Sequence, residues 1–408
     1  MKNDNLKFRN LRLQEFLVLA ILFLLPFYFI RIRFEWVSLN LVEILILILF
    51  AIWIFKKNKK YLVLNTQYLI PMLLILFGVT FSIIVNKNYY VGLGILKGWF
   101  LLPMIFAVIF YDNLKKNEKL LSWSFWAIFG GGTLVAIEGA YYWLSGFMTY
   151  DGRLRIFFDS PNQLAMYLAV VFLVGFLRFT PNNLLKLSPK ESLQALSLVL
   201  VTASLYLTKS YGAWLAIAPA LAATFWLKYR KIWQKKYLVV IVIIFIITIS
   251  AAGYGKFEDI KNLGKRSSLT SREMIWKSAA LMLKDNPLFG IGPGNFQNKY
   301  LEYQKCFPPY LEWAVPQPHN LYLAFWLEAG LAGLIGFLWL LAIFFRDNKN
   351  TRGNNPKAGL ICLATILYFL LHGLIDTTYW RNDMAIVFWV VIAINLHLSE
   401  KEKLFKEI

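Results

Sequence analysis

Apolar residues in this chain fall in blocks of about 17–25 separated by short polar stretches, and that is the length at which an α-helix crosses a bilayer. Lipid offers the backbone no hydrogen-bond partners, so such blocks must satisfy their own N–H and C=O groups as helices. The sequence therefore predicts an all-α polytopic membrane protein with about twelve transmembrane helices. The blocks lie at 15–30, 37–55, 66–85, 90–111, 121–144, 161–177, 193–208, 211–227, 237–254, 318–345, 358–375 and 384–397. Composition agrees: 58% of residues are hydrophobic and only 16% charged, where soluble domains carry about a quarter.

The net charge of +20 would suggest nucleic acid in a soluble chain. Here the basic residues sit between apolar blocks, and no nucleic-acid motif is present. One alternate set of loops, with both tails, carries 26 Lys and Arg; the opposite short loops carry seven. The positive-inside rule then places both termini in the cytoplasm. The N-terminal tail is polar and basic, and the apolar run after it lacks a small-residue cleavage site, which reads as a retained first helix. Residues 1–408 read as one polytopic domain. Within it, 255–317 form a long extracytoplasmic loop between spans nine and ten, and a loop of that length is ordinarily functional. Inside the loop, "TSREMIWKSAALMLKDNP" predicts a helix opened by a Thr270–Glu273 capping box and closed at Asn286-Pro287.

Several polar residues fall near the outer ends of the spans. Arg272 is expected in the first turn of the loop helix, where a cation opposes the helix dipole; it serves either an anion site or a salt bridge with a nearby acid. In "DGRLRIFFDSPNQLAMYLAV" Ser160 or Asp159 caps the sixth span and Pro161 fits its first turn. Arg153 and Arg155 alternate, so in an extended segment they face the same way, as a phosphate clamp or as headgroup anchors. His319 opens the tenth span and is a candidate general base; an interfacial hydrogen-bonding role is the alternative. Glu328 is nine residues further, on the opposite face of a regular helix and roughly 13 Å deeper. It is expected to pair with another helix rather than with His319, while Gly330, Gly333 and Gly336 allow close helix packing. Lys97 and Glu138 lie at similar depths in consecutive spans and are expected to pair. His372 and Asp376, four apart, line an outward cavity or cap the bundle.

Cofactor chemistry leaves no signature. Cys306 and Cys362 lie at different depths, and no CxxC spacing occurs. Only three histidines are present, with no HExxH or GxSxG, and "FGIGPGNF" lacks the GK[ST] of a phosphate loop. A metal enzyme is not expected, and no cofactor is implied.

Taken together, "SREMIWKSAALMLKDNPLFGIGPGNF" and "PHNLYLAFWLEAGLAGLIGFLWLL" resemble the O-antigen ligase/polymerase superfamily of bacterial membrane glycosyltransferases. The resemblance is carried by Arg272, Trp276, Gly290, Gly292, His319, Asn320, Glu328, Gly330 and Gly333, with Arg155, Pro161 and Asn162 in a second segment and "HGLID" as a weaker third. "LTKSYGAWLAI" departs from the family's Ser-Arg-Gly segment: Tyr211 stands where the arginine would be, and Lys209 is the nearby cation. The resemblance implies an outward cavity roofed by the long loop, and a donor glycan linked through diphosphate to undecaprenol. It implies a glycan or glycolipid acceptor and surrounding membrane lipids as further partners. Arg272 and His319 would be catalytic, and Arg153, Arg155, Lys209, Asn320 and Asn162 would bind substrate. Transfer would take place at the outer face of the cytoplasmic membrane. A transporter or flippase of polysaccharide precursors is the rival reading, since it too carries many spans and intramembrane charges.

Overall fold

The computed structural model describes residues 12–35, 37–56, 66–181, 183, 186–228, 268–308, 315–349, 351 and 355–407. The expected ninth span, 237–254, lies outside the described residues, as do 255–267 of the long loop. The described helices are α1 (Leu13–Phe23), α2 (Leu41–Lys56), α3 (Thr66–Asn86), α4 (Tyr89–Lys116), α5 (Lys119–Leu144), α6 (Pro161–Arg178), α7 (Pro189–Leu207), α8 (Tyr211–Lys228), α9 (Ser268–Asp285), α10 (Phe296–Tyr303), α11 (Leu321–Asn348), α12 (Pro356–His372) and α13 (Asn382–Glu407). Six of them, α3, α4, α5, α6, α11 and α13, are long and apolar enough to cross a membrane. Helices α1, α2, α8 and α12 are shorter and apolar. The architecture is that of a polytopic helical membrane protein.

The second predicted span needs correction. Its first four residues form a strand, β2 (Val37–Asn40), paired antiparallel with β1 (Arg31–Phe34), and helix begins only at Leu41. Asn40 and Glu43 explain the switch. The Asn40 side chain accepts from the Glu43 amide at 2.9 Å, and Glu43 accepts from the Asn40 amide at 3.0 Å, a reciprocal cap. The loop helix is corrected too. Its described part starts at Ser268, so Thr270 lies inside it and Arg272 sits beyond the first turn. Its end at Asp285, before Asn286-Pro287, is as read.

Helix α13 is the centre of the bundle: the apolar stretch within Asn382–Glu402 is wholly buried. The end where α3 begins and α11 finishes is tied by polar groups. Tyr68 donates to Asp347 at 2.9 Å, Lys115 meets Glu400 at 3.3 Å, and Lys401 meets Glu118 at 2.5 Å. Helix α11 packs along α3 with backbones almost touching. A Cβ on Gly78 would lie 2.4 Å from the Ala329 carbonyl oxygen and the Gly333 amide, so a side chain there would force the helices apart.

Helix α11 does not run as one regular rod. Gly330 takes φ 67° and ψ −179°, a conformation essentially reserved for glycine. The freed groups are satisfied by the segment after α9. The Leu327 carbonyl accepts from the amides of Ile291 (2.7 Å) and Gly292 (3.3 Å), and the Leu331 amide donates to Leu288 at 2.8 Å. Ser82 and Asn86, at the end of α3, hold the same turn through Phe289 and Gly290. The loop also builds its own apolar core from Met274, Ile275, Met282, Phe296 and Tyr300, closed on Leu327 of α11.

Candidate active site

Four chain segments meet at the end of the bundle where α6, α8 and α11 begin. The first is 315–320, which carries His319 and Asn320. This residue has φ 47°, the left-handed region that is strained for a residue with a side chain. It is held there by contacts on both sides. The Trp276 indole of α9 donates to the carbonyls of Pro318 (3.1 Å) and His319 (3.3 Å). Asn320 caps α11, accepting from the amides of Tyr322 and Leu323 at 3.0 Å each, and donates to the Leu374 carbonyl at 3.0 Å. The side chain of Asn320, expected at the substrate, is thus spent on local structure: it fixes the start of the helix that presents His319.

The second segment, 373–381, supplies the partner of the histidine. His319 Nδ1 lies 3.0 Å from Asp376 Oδ1, which also accepts from the Thr377 amide at 2.9 Å. Asp376 is 4% exposed and His319 half-buried, so the carboxylate is the inner partner of the pair. Burial alone would push the Asp376 carboxyl up. The charge and hydrogen bond of His319 outweigh it, helped by His372 and Arg272, and hold the group below the usual carboxylate range. When the imidazole is neutral, the ionised carboxylate on Nδ1 keeps the proton on that nitrogen and leaves Nε2 as the acceptor, the arrangement a general base needs. Asp376 and His372, read as lining an outward cavity or capping the bundle, have different partners. His372 is buried, its Nδ1 is 2.7 Å from the Tyr368 hydroxyl, and its ring packs against Gly212 of α8.

The third segment is α9. Arg272 donates from Nε to the Ile375 carbonyl at 2.8 Å, one residue before Asp376. The fourth is 149–162. Arg153 donates to the Thr208 carbonyl at 2.8 Å and to Asn162 Oδ1 at 2.6 Å. Burial lowers its pKa, partly countered by Asp151 and Tyr211, and the charge of Arg272 is close enough to act on it. Asn162 therefore orients an arginine. Lys209 is exposed, with φ 48°, and its ammonium reaches the backbone at Gly152 beside Arg153. The expected alternation holds, since Leu154 and Ile156 point inward. Arg153 is half-buried, bonded to Thr208 and Asn162 and within reach of the charge of Arg272, while Arg155 is exposed. The emphasis that the sequence put on Arg155 moves to Arg153.

Two other expectations change. Lys97 does not pair with Glu138, which is exposed. Its ammonium meets Glu43 at 2.9 Å and the Ser38 carbonyl at 2.5 Å. A π-helical turn over Leu96–Leu101 carries it. Glu328 is buried, as read, but its partners are not on another membrane helix. Its Oε2 accepts from the Trp380 indole at 2.7 Å and the Gly294 amide at 3.2 Å, which binds the loop turn and the 373–381 segment to α11. Arg381, unremarked in the sequence, fastens the far end of that segment. It grips Asp383 through two nitrogens at 2.5 and 2.7 Å, donates to the Gln163 carbonyl at 2.8 Å, and lies over the rings of Tyr28 and Phe158. Among the described residues no three of His, Cys, Asp and Glu converge as metal ligands.

A buried carboxylate behind a half-exposed imidazole, flanked by two guanidinium groups, can deprotonate a hydroxyl beside a bound anion. Residues 196–338 match the family described as O-Antigen ligase. The resemblance to the O-antigen ligase superfamily read from the motifs therefore stands. Among curated relatives, an O-antigen ligase of Salmonella typhimurium is 22% identical over 275 residues, covering 63% of each chain. An uncharacterized protein of Haemophilus influenzae is 24% identical over 197 residues, which is 44% of this chain and 48% of that one. The matched stretches thus span about half to two thirds of those relatives' lengths. The O-antigen ligase match includes Lys209, Arg272, His319, Asn320 and Glu328, and stops short of Arg153 and Asp376, which only the fold brings to them.

Proposed function

We propose that this protein is a membrane glycosyltransferase that moves an oligosaccharide from an undecaprenyl-diphosphate carrier to a glycan or glycolipid acceptor, as a ligase or polymerase of surface polysaccharide. The site would face outward from the cytoplasmic membrane, with both termini in the cytoplasm and twelve spans in all. The observation that carries the reading is the meeting of the His319–Asp376 pair with Arg272 and Arg153 at one end of the bundle.

In this scheme Arg272 and Arg153, with Lys209 at the rim, bind the donor diphosphate and neutralise the charge that develops as it leaves. His319 Nε2 takes the proton of the acceptor hydroxyl as its oxygen attacks the anomeric carbon and the bond from that carbon to the diphosphate oxygen breaks. Asp376 holds the imidazole tautomer and steadies the imidazolium. The diphosphate is already a good leaving group, so the scheme is written without a metal.

The test is transfer in proteoliposomes supplied with lipid-linked glycan and acceptor. His319→Ala and Arg272→Ala should each abolish transfer while the protein stays folded; undiminished transfer in either variant would remove that residue from the mechanism. Donor crossing the bilayer without transfer would instead favour the transporter reading. Deleting the gene separates the two glycosyltransferase roles. Loss of glycan attachment indicates a ligase, and attached single repeats without long chains indicate a polymerase.

A further inference from the structure

The β1–β2 hairpin is the one sheet among the described residues, and two strands alone are marginal in water. It needs a surface to rest on. Its register pairs Arg31 with Asn40, Ile32 with Leu39 and Arg33 with Ser38. Because side chains alternate across a ribbon, Arg31, Arg33 and Ser38 share one face, and Ile32 and Leu39 the other. The β1 side chains are open on both faces: Ile32 is 48% exposed, Ile30 on the same face 46%, and both arginines are exposed, while Asn40 opposite Arg31 is buried. Neither arginine forms a salt bridge among the described residues.

Position decides what these faces meet. Strand β2 runs directly into α2, whose Leu47, Ile48 and Ile54 are themselves exposed apolar residues, as on a helix facing lipid. The ribbon therefore adjoins an apolar helix with exposed apolar residues, at the end of the bundle where α13 begins. Apolar residues on one face and arginines on the other is the division an interfacial element needs, and arginine matches phosphate in charge and hydrogen-bond geometry.

We infer that this hairpin lies in the membrane interface on the site's side and binds anionic phospholipid headgroups through Arg31 and Arg33, with Ile30 and Ile32 in the acyl region. The hairpin is not an isolated anchor. Lys97 and Glu43 clasp its second strand, and Asn382, just past the segment that carries Asp376, donates to Glu43 Oε1 at 3.2 Å and to the Gly98 carbonyl at 3.2 Å. Phe29, at the base of β1, packs 4.3 Å from Phe157 in the segment that also carries Arg153. Lipid on the hairpin thus bears on the segment that carries Arg153 and on the residue that follows the segment carrying Asp376.

The experiment places a nitroxide at Ile32→Cys in a Cys306→Ser background, in nanodiscs of phosphatidylcholine with or without phosphatidylglycerol. The label should be more accessible to oxygen than to a water-soluble relaxant. Its spectrum should broaden when phosphatidylglycerol is present. Arg31→Gln/Arg33→Gln should abolish that broadening, and Arg31→Lys/Arg33→Lys should restore part of it. A label exposed to water, or a response unchanged by the glutamine pair, overturns the inference. Broadening that follows protein concentration, or an added acidic glycan rather than lipid charge, overturns it in favour of a second copy or the acceptor. None of these readouts depends on the proposed transfer activity.

Discussion

Trp276 of α9 donates its indole N–H to the backbone of His319, so the helix that delivers Arg272 also holds the histidine in its left-handed conformation. One element of the loop thereby sets both the anion-binding group and the general base. Trp276→Phe keeps the ring and removes the donor. The lost hydrogen bond costs about 1–1.5 kcal/mol, so transfer should fall roughly 5- to 10-fold while the melting temperature drops by only a few degrees. Rates of the variant and the parent, measured in the same proteoliposomes, check this; equal rates would detach α9 from His319 positioning.

Asp376 makes a prediction in pH as well as in rate. Its carboxyl is held below the ordinary range in the folded protein, and it titrates near 3.9 when unfolded. A depressed folded pKa adds stability that is present above the unfolded value and is lost as pH falls through the folded one. The melting temperature of the parent should exceed that of Asp376→Asn at pH 6, and the gap should narrow below about pH 4. Transfer by Asp376→Asn should fall on the order of 10²–10⁴-fold, as for loss of general base function. A gap as wide at pH 3 as at pH 6 would contradict the assignment.

The positions of the long apolar helices were legible because hydropathy and helix ends are local properties. Ser160 caps α6 at 3.2 Å and Pro161 opens it, as the residues alone indicate. Candidate site residues were legible as types at the ends of spans, and four of them, Arg153, Arg272, His319 and Asp376, do converge. Their partners were not legible. Depth along consecutive spans suggested Glu138 for Lys97, but which helices adjoin is a property of the whole bundle, and Glu43 is nearer. Asp376 lies past the end of α12, so the helical spacing to His372 said little about where its carboxylate would turn. The regular 100° advance rightly separated Glu328 from His319, but its partners, the Gly294 amide and the Trp380 indole, lie in a loop turn and in the 373–381 segment, which spacing along one helix does not locate.

The Lys97–Glu43 pair offers a direct contrast with the expected pairing. Glu43 is almost fully buried and Lys97 29% exposed. Breaking a buried pair costs 3–5 kcal/mol; with solvent screening at Lys97 and the remaining Asn40 and Asn382 bonds, Lys97→Met should cost about 1–3 kcal/mol. Glu138→Gln should leave stability unchanged. Thermal unfolding of both variants in the same detergent decides the matter, and a larger loss for Glu138→Gln would restore the pairing read from depth.

Glu328 distinguishes a structural carboxylate from a catalytic one. It serves only as an acceptor, for the Trp380 indole and the Gly294 amide, and an amide oxygen can accept both bonds. Glu328→Gln should therefore keep its melting temperature and transfer within about threefold of the parent, a change of well under 1 kcal/mol. Glu328→Leu leaves two buried donors unpaired at about 1–3 kcal/mol each, so it should unfold at lower temperature. It should also loosen the 290–294 turn against α11 and the Trp380 end of the segment that holds Asp376, and lose transfer as a consequence. A carboxylate that moved a proton would show the opposite pattern in the glutamine variant: full stability with transfer abolished. Rate and melting temperature measured together on the two variants separate these outcomes.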